Sequence, residues 1–469
     1  MPQKHLDRLT PLDASFIAQE RANTHMHIGG LVICEGPAPD FETFLDHVRS
    51  RLHLVPRYRQ RIVQPPYETG RWVWADDPAF NIEYHVRRTA LPAPGDEHTL
   101  LKLVGRIASQ QLDRQKPLWE MWLIEGLSDG RFALISKTHH ALIDGIAGVD
   151  LATVMFDIAP EPASYPHSGH AWSAHPEPTN SQLLAAGAVG AAKAAASGLG
   201  AIADAITRPG AAWRAISNTA GGVGEIIWAG ANPAPPSPLN QPIGPHRRYS
   251  VVRADLADVK EIKNTLGGTV NDVVLALVTS SIREWLHARG TQTHGLELRA
   301  LVPVSTRPRD QRGEVGNKVV AMRGPLPVYI EDPIMRLHKI REGMDHLKRS
   351  KQAVGADVLV NVQGFTPPTV LAQASRLNFS TRLFNLIVTN VPGPQMPLYV
   401  LGRQMDAVFP IAFLPADHGL SIGIISYNGQ LNFGLLADYD LVPDIDDIAT
   451  GIKTALDELL AIAREYAAA

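Results

Sequence analysis

The sequence predicts an α/β protein built from two domains. Strand-like and helix-like stretches alternate in both halves of the chain, and a segment rich in Ala and Gly lies between them. The chain has 469 residues, which is more than one hydrophobic core usually serves. We therefore expect an N-terminal domain over residues 1–165, a helical linker over 166–245 and a C-terminal domain over 246–469.

Strands and helices are expected to alternate in the N-terminal half. Apolar residues recur at helical spacing from Phe41 to Leu52, whereas shorter apolar stretches have the length of strands. The turn signal Ser128-Asp129-Gly130 predicts that the two strands around it pair as a hairpin. The expected helices are 41–54 and 100–112, and the expected strands are 27–33, 71–74, 119–127 and 131–137.

The C-terminal half shows the same mixture. Thr269 is a good N-cap, and apolar residues follow it at helical spacing, among them Val273, Val274 and Leu277. Asn428-Gly429, between two apolar stretches, is typical of a type I′ hairpin turn. The expected helices are 256–266, 269–290, 332–350 and 448–466, and the expected strands are 249–252, 298–304, 386–389, 420–427 and 431–436.

Composition excludes several classes of protein. The formal net charge of −3 gives no general attraction for polyanions, so nucleic acid is not an expected partner. The single cysteine, Cys34, excludes a disulfide within the chain and a Cys-rich zinc site, and we interpret it as a buried small apolar residue. The polar N-terminus has no apolar signal-peptide core, which favours a cytoplasmic protein.

Residues 181–231, dominated by Ala and Gly, allow two interpretations. Ala favours a helix while Gly weakens it, so a helical linker is the main prediction. Trp213 and Trp228 favour the alternative, an amphipathic element that contacts a membrane or a lipid droplet. A transmembrane helix over 181–203 is disfavoured because Ala and Gly are too weakly apolar to drive insertion.

The motif His139-His140-x-x-x-Asp144-Gly145 carries the chemistry of the chain. A histidine titrates near neutral pH and can take a proton from a hydroxyl group. Neighbouring side chains at a strand end point in opposite directions, so the two rings cannot easily share a metal ion, and only one should face an active site. The motif suggests acyl transfer to an alcohol with one histidine as general base, against the alternative that one or both are core histidines that shape the strand end.

Further blocks accompany this motif in a fixed order, and with them the chain resembles the bacterial wax ester synthase/diacylglycerol acyltransferase family. That family lies within the coenzyme A-dependent acyltransferase superfamily. The resemblance covers most of the chain, from residue 11 to residue 394. The blocks are Pro11-Leu12-Asp13, Pro117-Leu118-Trp119, the double-histidine motif, Leu239-Asn240 before Arg247-Arg248, Val270-Asn271-Asp272, and Asn390-Val391-Pro392-Gly393-Pro394.

The resemblance implies a fold and a set of roles. It implies two related mixed-sheet domains of the chloramphenicol acetyltransferase-like type, which meet at a central active-site channel. His140 would be the general base, His139 its support and Asp144 a member of a structural ion pair. Asn271 would donate a hydrogen bond to the oxyanion or orient His140, and the choice between these two roles stays open. Pro117-Leu118-Trp119 is expected to be scaffold, with Trp119 at an acyl channel as the alternative.

The resemblance also implies the substrates. Acyl-coenzyme A is the expected co-substrate, with no bound cofactor and no metal. Diacylglycerol is the favoured acceptor, giving triacylglycerol, and long-chain alcohols would give wax esters. These lipid substrates imply a peripheral location at the inner membrane face or at lipid droplets. The alternatives are a superfamily member that takes its acyl group from a carrier protein, and a non-catalytic lipid-surface protein.

Two other features need an interpretation. Arg247, Arg248, Arg307 and Lys318 are candidates for the coenzyme A phosphates, although each is more simply a solvated surface charge. Gly419-Leu420-Ser421-Ile422-Gly423 matches the hydrolase nucleophile pattern, but a strand rather than a helix is expected after it. The last histidine is His418, so no triad histidine follows, and Ser421 is predicted to be a strand residue.

Overall fold

Two six-stranded mixed sheets form the frame of the protein. The structure is a computed structural model, and it describes residues 7–68, 72–143, 154–163, 172–185, 188, 232–305, 319–349 and 379–468. The predictions for Asp144, Arg307, Lys318 and nearly all of the Ala/Gly-rich segment lie outside these residues.

The strands and helices of the described residues follow in chain order. The strands are β1 Asp7–Arg8, β2 His27–Cys34, β3 Gln60–Val63, β4 Val73–Asp76, β5 Val86–Ala90, β6 Trp119–Glu125, β7 Phe132–His139, β8 Arg247–Asp255, β9 Leu298–Ser305, β10 Val319–Leu326, β11 Leu386–Pro392, β12 Tyr399–Val400, β13 Arg403–Ile411, β14 Leu420–Tyr427 and β15 Gln430–Asp438. The α-helices are α1 Pro11–Gln19, α2 Phe41–Arg51, α3 Ile82–His85, α4 Glu97–Ala108, α5 His140–Ile143, α6 Leu256–Leu266, α7 Val270–Ala288, α8 Pro333–Arg349 and α9 Ile445–Ala468. Short 3-10 turns lie at Leu52–Leu54, Pro56–Arg59 and Pro66–Glu68.

The α/β class and the local elements are confirmed. The N-terminal sheet has the order β12-β13-β2-β7-β6-β5, and the C-terminal sheet has the order β10-β9-β11-β14-β15-β8. Strands β6 and β7 form the expected antiparallel hairpin. Asn428 (φ 44°) and Gly429 (φ 82°) occupy the tight turn between β14 and β15, because a type I′ turn needs positive φ at both positions. Thr269 caps α7, as predicted.

Two strands cross the predicted domain boundary, because β12 and β13 belong to the N-terminal sheet. Strand β13 pairs antiparallel with β2, so that Phe409 lies opposite Leu31 and Ile411 opposite Gly29. The predicted division into 1–165 and 246–469 therefore does not coincide with the division between the two sheets. The sequence prediction omitted β13, although its buried residues Met405, Ala407, Phe409 and Ile411 alternate as a half-buried strand requires.

A pair of glycines lets β13 lie directly on the C-terminal sheet. Gly423 of β14 and Gly434 of β15 are cross-strand partners, and Pro410 of β13 rests on both. A Cβ on Gly423 would lie 2.8 Å from the Cβ of Pro410, and a Cβ on Gly434 would overlap the carbonyl oxygen of Pro410. That carbonyl also accepts a 2.9 Å hydrogen bond from the Tyr249 hydroxyl of β8. The backbone of β13 thus lies directly against Gly434, and the ring of Pro410 lies directly against Gly423. A Cβ at either position would block this approach, which is why both residues are Gly.

Burial agrees with two single-residue predictions. Cys34 is fully buried in the N-terminal core, and burial raises the pKa of its thiol. Ser421 is a fully buried residue of β14, followed by the β14–β15 hairpin rather than by a helix.

Within the described ranges, no single helix has the length and hydropathy of a membrane span; helices α6 and α7 meet that requirement only together, across a 99° bend.

We predict that Gly434→Ala destabilises the protein by about 1–3 kcal/mol or more, because the added methyl group overlaps the backbone of β13. The matched control is Gly30→Ala, on the strand opposite Pro410, where the nearest atom to an added Cβ is 3.7 Å away. Urea unfolding measures both changes, and an equal midpoint for the two variants would contradict the role assigned to the glycine pair.

Candidate active site

The two motif histidines lie where β7 ends and the short helix α5 begins. His139 is the last residue of β7, and His140 is the first of α5. The backbone N–H of His139 donates to Leu118 O at 2.9 Å, and that of His140 donates to Met26 O at 2.8 Å. Both main-chain positions are therefore fixed by neighbouring segments.

His139 is a buried, neutral side chain with two polar neighbours. Its Nδ1 accepts the backbone N–H of Ala141 at 3.1 Å, so the proton of the neutral ring is on Nε2. That nitrogen lies 3.7 Å from Oε1 of Glu20, whose side chain is also buried. Burial lowers the pKa of His139 to about 4, although the Glu20 carboxylate acts in the opposite direction.

His140 is partly exposed and has aromatic neighbours. Its ring stacks on Phe16 of α1 with the centroids 4.0 Å apart, and Phe413 meets it edge-on at 5.9 Å. Phe413 in turn contacts Phe379 at 5.6 Å, and Phe379 contacts Phe384 at 6.2 Å. A series of aromatic contacts thus leads away from the ring of His140, through the partly exposed Phe413 and Phe379 to the buried Phe384.

The Pro-Leu-Trp block is the cross-strand neighbour of the histidine motif. Trp119 lies opposite Thr138, and Glu120 lies opposite Lys137. Trp119 is buried, stacks on His85 and donates from Nε1 to the carbonyl oxygen of Tyr58 at 2.8 Å. These contacts are those of a scaffold residue.

Lys137 carries a buried charge directly before the motif. Its Nζ lies 2.5 Å from the Glu120 carboxylate and donates to the carbonyl oxygens of Ile107 and Gln110. Burial lowers the pKa of Lys137, and Glu120 opposes this shift. The pair and its carbonyl partners fix the β6–β7 hairpin against the end of α4, which holds the strand end that carries the histidines.

Asn271 lies in the first turn of α7 and is partly exposed. Its neighbour Asp272 forms a capping box with Thr269, accepting from the Thr269 N–H at 2.8 Å. Among the described residues, no hydrogen bond, ion pair or ring contact joins Asn271 to either histidine. The role of Asn271 therefore stays a prediction, and so does that of Asp144, which lies outside the described residues.

Of the arginine candidates, Arg247 differs from the expectation of a solvated surface charge. Arg247 is 5% exposed and donates to the carbonyl oxygens of Gly244, His246 and Asn23. It is neither a solvated surface charge nor a free phosphate ligand, because its donors hold the chain entering β8. Arg248 lies over the ring of Tyr439 with 3.7 Å between Cζ and the centroid.

Sequence reasoning missed the helix that supports the site. Helix α1 supplies Phe16, and Glu20 directly follows it. A signal was present, because Thr10 and Asp13 form a capping box around Pro11 at the start of the helix. No local signal identifies Glu20 as a buried partner of His139, because that contact spans more than a hundred residues.

A cavity of about 550 Å³ lies near the site but not at the histidine rings. Arg87, Arg114, Trp119 and Glu120 are among the residues that line it, and neither histidine is. Within the described ranges, no group of three or more His, Cys, Asp or Glu side chains is placed to hold a metal ion. The predicted central channel stays a prediction.

We predict that His139 makes folding stability depend on pH. Its pKa falls from 6.5 to about 4 on folding, so the unfolded chain binds the proton more readily. The contribution of His139 is complete above pH 6.5 and is lost as the pH falls towards 4, up to about 3 kcal/mol. His139→Asn keeps an acceptor for Ala141 and removes the titration, so its free energy of unfolding should fall less over this range.

The control for this measurement is His98→Asn, which replaces an exposed histidine in the same half of the chain. It should follow the wild-type pH dependence in urea unfolding. An unchanged pH dependence in His139→Asn would show that another group causes the loss of stability.

Comparison with known proteins identifies the family of the chain. The wax ester synthase/diacylglycerol acyltransferase catalytic domain matches residues 9–274, and the WS/DGAT C-terminal domain matches residues 315–460. The probable diacylglycerol O-acyltransferase tgs1 of Mycobacterium tuberculosis is 35% identical over 463 residues, covering 98% of this chain and 97% of that protein. The probable diacylglycerol O-acyltransferase tgs2 of the same species is 31% identical over 466 residues, covering 97% of this chain and 99% of that protein.

Solved structures place the fold in the same group. The wax ester synthase/diacylglycerol acyltransferase from Marinobacter aquaeolei VT8 has a TM-score of 0.69 at 27% identity, covering 98% of this chain and all of that one. The first condensation domain of the calcium-dependent antibiotic synthetase has a TM-score of 0.58 at 14% identity, covering 98% and 96%, and shares the fold alone. The chain belongs to the wax ester synthase/diacylglycerol acyltransferase family.

Proposed function

We propose that this protein is an O-acyltransferase that moves a long-chain acyl group from acyl-coenzyme A to diacylglycerol, making triacylglycerol. Long-chain alcohols are further acceptors and give wax esters. Family membership over both parts of the chain supports the reaction class, and the names of the mycobacterial relatives support diacylglycerol as acceptor.

The observation that carries the proposal is the setting of His140. A partly exposed imidazole stacks on Phe16 and lies edge-on to the partly exposed Phe413. Phe413 contacts Phe379, which is also partly exposed and which contacts the buried Phe384. A lipid substrate needs an apolar surface beside the reacting atoms, and a proton acceptor at the end of that surface suits an alcohol attached to a hydrocarbon chain.

His140 would act as general base. The acceptor hydroxyl gives its proton to the ring as its oxygen attacks the thioester carbonyl carbon, which forms the new C–O bond. The tetrahedral intermediate then breaks its C–S bond, and the thiolate of coenzyme A takes the proton back from His140. No covalent acyl-enzyme is formed in this sequence.

The oxyanion of the intermediate needs hydrogen-bond donors. Asn271 remains the proposed donor, with orientation of His140 as its other proposed role, and Asp144 remains the proposed member of a structural ion pair. His139 would support the loop through Ala141 rather than react, since its ring is buried and neutral. The acceptor dissolves in lipid, so we also place the reaction at the inner membrane face or at lipid droplets.

We predict that His140→Ala lowers the acyl-transfer rate roughly 10²- to 10⁴-fold, which is the usual contribution of a general base. The measurement is release of coenzyme A thiol from palmitoyl-coenzyme A with dioleoylglycerol, with hexadecanol and without acceptor. His98→Ala, which removes an exposed histidine, is the control and should keep the wild-type rate.

The pattern of release separates the alternatives. Acceptor-dependent release that is lost in His140→Ala supports the proposal and identifies the preferred alcohol. Release without acceptor indicates a thioesterase. An inactive wild type with palmitoyl-coenzyme A, but an active one with a palmitoylated carrier protein, indicates a carrier-protein donor.

We predict that Phe413→Ser lowers kcat/KM for palmitoyl-coenzyme A roughly tenfold more than for butyryl-coenzyme A, because the change removes apolar contact from a long chain. Phe413→Leu keeps an apolar side chain of similar size and should retain most of the preference for palmitoyl-coenzyme A. Equal losses for the two donors would indicate that Phe413 supports His140 without contacting the acyl chain.

A further inference from the structure

Glu20 is a buried carboxylate that the reaction above does not use. Its side chain is 1% exposed, and it directly follows α1, the helix that carries Phe16 against the ring of His140. Arg114 donates from Nε to Oε2 at 2.8 Å and from Nη2 to the carbonyl oxygen of Ile17 at 2.9 Å. The charge of the carboxylate is thus compensated on one side only.

The other oxygen of Glu20 faces two groups that lead to His140. Oε1 accepts the backbone N–H of Met26 at 3.4 Å, and the carbonyl oxygen of Met26 accepts the backbone N–H of His140 at 2.8 Å. Oε1 also lies 3.7 Å from Nε2 of His139, whose Nδ1 accepts the N–H of Ala141. The Glu20 carboxylate is therefore linked to two consecutive backbone N–H groups, that of His140 through Met26 and that of Ala141 through His139.

We infer that Glu20 is a positioning residue for His140, acting through Met26 and His139. The inference rests on the proposed function, in which His140 is the base. Catalysis by a positioned base depends on geometry, and a displacement of about 1 Å can cost about 100-fold in rate. Glu20 would fix that geometry without touching substrate.

A carboxamide at position 20 cannot satisfy the same neighbours. Both oxygens of Glu20 face donors, namely Arg114 on one side and Met26 with the Nε2–H of His139 on the other. Glutamine has one oxygen and one NH₂ group, so its NH₂ must face a donor on one side. Glu20→Gln therefore disturbs the contacts of residue 20 with Arg114, Met26 or His139, while it nearly preserves the side-chain volume.

We expect Glu20→Gln to lower kcat roughly 10- to 100-fold while KM for palmitoyl-coenzyme A and dioleoylglycerol changes by less than about twofold. The matched control is Asp157→Asn, which breaks another buried Arg–carboxylate pair, Arg51–Asp157, in the same half of the chain. It should lose stability in urea unfolding but keep kcat within about twofold.

The double variant Glu20→Gln/His140→Ala separates positioning from general damage. If Glu20 acts through His140, the double variant should be no slower than His140→Ala alone. Arg114→Gln, at a side chain that is 42% exposed, provides a second test if Glu20→Gln folds poorly, and should lower kcat in the same direction by a smaller factor.

A wild-type kcat in Glu20→Gln, or a further loss in the His140→Ala background, would overturn the inference and leave the proposed function intact. Full activity in His140→Ala would instead overturn the proposed function. A loss of kcat in Asp157→Asn equal to that in Glu20→Gln would show that any buried ion pair of this half has the same effect, and would also overturn the inference.

Discussion

The close approach of β13 to the C-terminal sheet is the constraint on which the arrangement of the two halves depends. Pro410 rests on the Gly423–Gly434 pair while β13 itself is hydrogen-bonded to β2 of the N-terminal sheet. One strand is therefore part of one sheet and packed on the other. The same pairing explains the misleading Gly-x-Ser-x-Gly pattern, because its second glycine, Gly423, is needed for packing and its serine is buried.

The site is assembled from segments that are far apart in the chain, and each segment contributes a different contact to the two histidines. The junction of β7 and α5 carries the two histidines, the segment around Met26 fixes the backbone of His140, and α1 packs Phe16 on its ring. Phe413, which follows β13, supplies the second aromatic contact. Phe413 comes from the C-terminal half of the chain, so that half also contributes to the surroundings of the base.

Local patterns in the sequence predicted most elements but not their partners. The β6–β7 hairpin, the Asn428-Gly429 turn and the cap at Thr269 depend on neighbouring residues, so they could be read from the sequence. The position of β13 depends on pairing with β2, more than 350 residues earlier, and no local pattern encodes that choice. Glu20 and Arg247 were unpredictable for the same reason, since a charged residue is recognised as buried only from its distant partners.

The membership of β13 in the N-terminal sheet also bears on how the protein is made. During synthesis, β2 emerges from the ribosome long before Arg403–Ile411 can pair with it. Its apolar edge therefore stays unpaired while several hundred further residues are synthesised. An unpaired apolar edge strand readily joins other chains, and pairing across a long loop is slow. The nascent N-terminal half therefore passes through a period in which its sheet lacks β13 and β12 and β2 is an unpaired edge. Binding by a chaperone during this period would suppress aggregation.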